Sequence, residues 1–132
     1  MAKSATPFLM FQGGKGEEAI NFYLSLFPSA EIEQMDRFAA GEPGPEGTIK
    51  RAVFSIAGQR VMAHDSFIKH GFDFTPSFSF FIDCDNEEEL RRLAAALLEG
   101  GAEYMPIGNY GWSELFTWVG DRFGITWQLN LN

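Results

Sequence analysis

"FTWVGDRFGITWQLNL", residues 116 to 131, reads as a strand, a glycine-containing turn with a basic residue in it, and a second strand. The same order stands earlier in the chain, in "VFSIAGQRVMAHDS", residues 53 to 66. Working outward from the two stretches, the segments before them also correspond. Upstream of the first lie the apolar run "TPFLMFQ" (6 to 12), the helically spaced "GEEAINFYLSLFP" (16 to 28) and the alternating "AEIEQMDRF" (30 to 38) and "TIKRAVFSI" (48 to 56). Upstream of the second lie "PSFSFFIDC" (76 to 84), a helical stretch opening at Glu87 and "AEYM" (102 to 105). The period changes from 2 to 3.6 and back in each half, which predicts strand, helix and three strands twice over. The chain is read as α+β, one domain over residues 1–132 made of two βαβββ modules, 6–66 and 76–131.

The boundaries follow from local chemistry. Ile20, Tyr23, Leu24 and Phe27 give the apolar stripe of the first helix, Glu17 and Glu18 suit its positive N-terminus, and Pro28 stops it. Ala57-Gly58-Gln59 reads as a tight hairpin turn. "AAGEPGPEG" (39 to 47) reads as a mobile loop. In the second half, Asp85 or Asn86 is the N-cap, Leu90, Leu93, Ala94 and Leu97 form the stripe, and Gly100-Gly101 supplies the left-handed end. "FIKHGFDFTP" (67 to 76) joins the halves and is too apolar for a bare linker, so it is expected to cover a cavity or clasp a second subunit.

Composition narrows the function. With 45% apolar and 15% aromatic residues, fourteen of them phenylalanine, a large aromatic interior is expected. A net charge of −8 repels phosphate backbones and anionic membrane surfaces, so neither nucleic acid nor membrane is an expected partner. The single Cys84 has no partner for an intramolecular disulfide, no apolar run approaches a membrane span, and "MAKSATPF" resembles no signal or transit sequence. The expectation is a cytoplasmic protein.

The paired βαβββ units, with "PFLMFQGG", "AINFYLSLFP", "FFIDCDNEEE" and above all "DRFGITWQLNL", resemble the vicinal oxygen chelate superfamily, which includes glyoxalase I, bleomycin-resistance proteins and extradiol dioxygenases. Within it the chain looks like the PhnB-like branch labelled 3-demethylubiquinone-9 3-methyltransferase-like. That resemblance implies a glyoxalase/bleomycin-resistance/dioxygenase-like fold, with the two βαβββ modules forming cupped mixed sheets. In metal-using members, four strand residues hold one divalent ion, and the matching positions here are Phe8, His64, Ser77 or Ser79, and Gln128. His64 is the one good donor, so the implied metal site is degenerate and no metal or other cofactor is expected. His64 is also the one candidate for catalysis. Asp65, next to it, points through the sheet to the opposite face, so the two form no dyad.

The candidate cavity residues are Phe8, Met10, Met62, His64, Ser77, Ser79, Phe81, Trp118 and Gln128, with Phe116 beside them. Aromatic and methionine side chains on a concave sheet read equally as pocket wall and as packed core. A lone histidine there reads first as a hydrogen-bonded wall residue. Lys50 and Arg51 read as a solvated strand edge. Three functions are weighed: a binding protein for an apolar or aromatic small molecule; a metal-dependent lyase, isomerase or dioxygenase using His64; and a methyltransferase, as the branch label says. Against the last, Gly13-Gly14-Lys15-Gly16 is a short glycine turn of a kind the fold needs for backbone reasons. Exposed strand edges predict a homodimer.

Overall fold

The computed structural model describes residues Met1–Asn132, which divide into two compact units, Met1–Gly71 and Phe72–Asn132. Each contains one four-stranded mixed sheet and one helix.

In the first unit, β1 (Phe8–Phe11), α1 (Gly16–Leu26), β2 (Glu31–Arg37), β3 (Ile49–Ile56) and β4 (Gln59–Asp65) form a sheet of order β1-β4-β3-β2. The first and last strands pair in parallel and the others antiparallel. Alternation along the strands sends Leu9, Phe11, Ala52, Phe54, Val61 and Ala63 to the face that α1 covers, and all six are buried. Ala19, Ile20, Tyr23 and Leu26 meet them from the helix. Leu24, expected in that stripe, is half-buried instead, and Phe27 is buried just past the helix end, where the chain has turned extended ahead of Pro28. Ala57 and Gly58, at φ 48° and 84°, make the hairpin of two left-handed residues whose twist suits the flanking strands. β3 is interior, with β2 outside it, so Lys50 and Arg51 lie within the sheet and not on its edge.

The second unit repeats the plan with β5 (Ser79–Asp83), α2 (Glu87–Leu98), β6 (Ala102–Gly108), β7 (Leu115–Gly120) and β8 (Thr126–Leu131), in the order β5-β8-β7-β6. Asn86 is the N-cap: its Oδ1 accepts from the Glu89 amide at 2.9 Å, and Glu89 Oε1 accepts from the Asp85 amide at 2.9 Å. Leu90, Leu93, Ala94 and Leu97 pack on β7 and β8, against Trp127, Leu129 and Val119. Gly100 closes the helix at φ +74°. β6 runs three residues beyond the expected "AEYM", through Pro106, which an edge strand tolerates because no ladder bond depends on its missing N–H.

Two buried aspartates fasten the units internally. Asp65 accepts the Gly16 amide through Oδ1 and the Ile49 amide through Oδ2, both at 2.8 Å, tying the start of α1 to the start of β3. Asp121 accepts the Phe123 and Ile125 amides through Oδ1, at 2.9 and 3.1 Å, and the Trp127 indole N–H through Oδ2 at 3.0 Å. The turn in "DRFGITW" is therefore organised by its first residue. No helix is long and apolar enough to cross a membrane.

Candidate functional site

Each sheet has a helix-covered face and a far face, and the expected site residues other than Ser77 fall on the far faces. In the first unit Phe8 pairs with Met62 and Met10 with His64, so these four side chains form one patch. Phe8 is 53% exposed, Met10, Met62 and His64 are half-buried, and the Phe8 and His64 rings lie 5.7 Å apart. The His64 ring makes no hydrogen bond within the protein, so it is not the bonded wall residue expected of a lone histidine. Its neighbour Asp65 is 2% exposed on the helix face, where its carboxylate is fully engaged by backbone amides. The adjacent pair divides into an available ring and a structural clasp.

In the second unit one row crosses all four strands. Phe81 pairs with Gln128, Gln128 with Trp118, and Trp118 with Met105. Phe81 is 55% exposed, while Gln128 and Trp118 are half-buried. The Gln128 amide has no hydrogen-bond partner within the chain. Ser79 lies on the same face but is engaged with Thr126, hydroxyl to hydroxyl at 2.7 Å. Ser77 does not belong to the face. It precedes β5 in an exposed turn and bonds the Thr75 hydroxyl at 2.6 Å, because Pro76 delays the strand to Ser79. Phe116, considered as pocket wall, is 4% exposed beneath Trp112, whose ring stands edge-on at 5.4 Å, and Tyr110 at 6.1 Å.

Two features of this face were missed. Tyr104 reaches it through the irregularity between Glu103 and Met105 in β6, and its ring lies 4.9 Å from that of Trp118. Gly120 leaves it space, since a Cβ there would stand 3.0 Å from Tyr104 Cε2. Strand alternation carries no signal for such a bulge. Asn130 is 5% exposed, and its amide nitrogen donates to Asp83 at 3.0 Å. Its place on the far face follows from the same alternation as that of Gln128.

The groups that the resemblance implies can be tried on these residues. No three His, Cys, Asp or Glu side chains stand together in a way that would hold a metal ion. Around His64 the paired neighbours are phenylalanine and methionine, and around Gln128 they are phenylalanine and tryptophan. These donor sets do not fit a firmly bound divalent ion. The glycine turn before α1 fits no nucleotide-like cofactor either. Gly13 and Gly14 adopt φ +71°, and the Gly16 amide, the donor a phosphate or carboxylate ligand would seek, is already held by Asp65. A Cβ on Gly16 would stand 2.8 Å from that carboxylate, which explains the third glycine.

A family model described as 3-demethylubiquinone-9 3-methyltransferase matches residues 3–130. The chain belongs to this family. The chain is 44% identical to the PhnB protein from Bacillus cereus, covering 98% of this chain and 100% of that one, with a TM-score of 0.93. Protein PA1353 from Pseudomonas aeruginosa is 28% identical over 99% of this chain and 98% of its own, with a TM-score of 0.82. The fosfomycin resistance protein FosX from Listeria monocytogenes, in a complex with Mn(II) and a dihydroxypropylphosphonic acid, shares the fold at 13% identity and a TM-score of 0.64, over 98% of this chain and 93% of that. No curated protein matches the chain. The repeated βαβββ units are the glyoxalase/bleomycin-resistance-like fold of the vicinal oxygen chelate superfamily, as the resemblance implied.

Proposed function

We propose that the protein binds a flat, mostly apolar small molecule, held on the far face of a sheet and anchored at one polar end. The observation that carries this reading is the pair His64 and Gln128. Each is a half-buried polar side chain without a hydrogen-bond partner in the chain, and each is flanked by an aromatic ring more than half exposed, Phe8 and Phe81 respectively. A packed core would not leave two large rings in water, and a plain solvated face would not carry methionine and tryptophan around its polar groups. The metal-dependent and transferase readings lack such support, since the paired neighbours of His64 are phenylalanine and methionine and the amide that opens α1 is held by Asp65.

A tryptophan-fluorescence and thermal-shift screen of quinones, aromatic acids and methylglyoxal adducts tests the reading. A ligand at 100 times its dissociation constant adds about 2.7 kcal/mol of stability. Gln128→Leu then weakens a ligand held on the sheet of Phe72–Asn132, or His64→Ala one held on the sheet of Met1–Gly71, by roughly 1 to 3 kcal/mol, the cost of an unpaired polar group. If nothing binds, or if both variants bind every hit as the wild type does, the proposal fails.

A further inference from the structure

Two buried side-chain atoms have no hydrogen-bond partner: the indole Nε1 of Trp118 and the amide oxygen of Asn130. Both belong to the far face of the same sheet. Trp118 stands opposite Gln128 and Asn130 opposite Phe116, in neighbouring rows about 7 Å apart along the strand. Turning the Asn130 amide over does not repair it, because its nitrogen already donates to Asp83 and a reversed amide would set two oxygens against each other. One unmet donor and one unmet acceptor therefore flank the uncommitted Gln128 amide, with the exposed ring of Phe81 alongside. No lysine or arginine lies on this face, whose one charged side chain is Asp83. The face is thus unsuited to an anion.

We infer that the unit Phe72–Asn132 takes an uncharged planar carbonyl compound. Its carbonyl accepts the Trp118 N–H, its ring lies against Phe81, and an N–H or O–H beside the carbonyl donates to Asn130 Oδ1. This rests on the ligand-binding reading above and names the ligand class. Both protein atoms are closed to solvent in this conformation, so side chains must move for a ligand to reach them. Tyr104, 43% exposed on the β6 bulge and packed against Trp118, is the ring whose displacement opens the way to the indole.

The test is indole N–H resonance spectroscopy on ¹⁵N-tryptophan-labelled protein, which carries three tryptophans. The Trp118 signal is the one lost in Trp118→Phe. In the free protein it lies upfield of Trp127, whose N–H donates to Asp121 and serves as the internal control. Titration with isoquinolin-1(2H)-one, a neutral lactam, or with 1-indanone moves the Trp118 signal downfield, whereas indane does not. The lactam binds at least about 10-fold tighter than indane, the ratio expected of one good hydrogen bond, and Trp118→Phe removes that advantage. Tyr104→Ala speeds lactam association. If probes bind, and bind more weakly to Gln128→Leu, while the Trp118 N–H stays still, the inference falls and the ligand-binding reading stands. If 1-naphthoate binds as tightly as the lactam, the restriction to uncharged ligands is wrong. If Tyr104→Ala abolishes binding, the ring is a wall of the site and not its cover. If no probe perturbs the face, both readings fall.

Discussion

Replacing Asp65 by alanine should separate architecture from chemistry at a position whose neighbour is the one catalytic candidate. The Asp65 carboxylate is 2% exposed and accepts two backbone amides at 2.8 Å, one from the first residue of α1 and one from the first of β3. Alanine removes both acceptors and leaves two N–H groups in the interior. Each hydrogen bond to a charged group contributes about 1.5 to 3 kcal/mol, so the loss is roughly 3 to 6 kcal/mol. That is a large part of the 5 to 15 kcal/mol typical of a whole domain. At about 3 to 4 °C per kcal/mol for a chain of this size, the melting temperature should fall by about 10 to 25 °C. Asp65→Asn keeps one acceptor and should lose about half as much. His64→Ala, one residue away on the far face, removes a half-buried ring with no hydrogen bond and should cost no more than about 1 kcal/mol. Urea unfolding followed by circular dichroism measures all three. If Asp65→Ala lies within about 1 kcal/mol of wild type, or if His64→Ala proves the costlier change, the assignment of the pair to opposite faces with opposite duties is refuted.

Gly101→Ala should be destabilising beyond the loss expected for an exposed turn, because its Cβ would stand 1.9 Å from the Gly120 carbonyl oxygen; expression yield and melting temperature of the variant check it. Burial pushes the Cys84 thiol up to about 11, so at pH 8 it should react with iodoacetamide about 100-fold more slowly than the urea-unfolded thiol. The same shift has a sign for stability: the unfolded thiol ionises near 9 while the native one keeps its proton, so stability falls from pH 9 towards 11, and Cys84→Ala should flatten that part of the profile. For assembly we expect a homodimer, with light scattering after gel filtration giving about twice the 14.8 kDa of one chain; a mass of one chain across micromolar concentrations contradicts it.

The fold was legible because the pattern repeats. Two βαβββ orders, each with a change of period at the helix, leave few alternative sheets, and the alternation of "ITWQLNL" alone places Trp127 and Leu129 in the core and Gln128 opposite them. Ends of elements were less clear. Ser77 looked like a strand residue because serine and phenylalanine alternate through "PSFSFF", yet the strand starts only at Ser79. Leu24 lies within the helix but beside its buried stripe of Ala19, Ile20, Tyr23 and Leu26, and Phe27 falls past the helix end, where the chain has turned extended. What periodicity does not carry at all is contact between distant segments. Nothing in "NYGWSE" announces that Trp112 packs on Phe116, and nothing in "AEYM" announces that a bulge turns Tyr104 onto Trp118. The candidate site was therefore visible as a face before it was visible as a set of neighbours.

In each unit the opening strand waits for the closing one. Phe8 pairs with Met62, and Ser79 with Thr126, nearly a full unit downstream in both cases. Loop closure over such spans is slow and precedes any gain from the pairing, so each sheet should close late. On the ribosome, hairpins β2-β3 and β3-β4 can zip as they emerge, while β1 remains an unpaired edge until its parallel partner arrives. The residue that ends that wait in the first unit is Asp65, which completes β4 and, in the same step, takes hold of the helix.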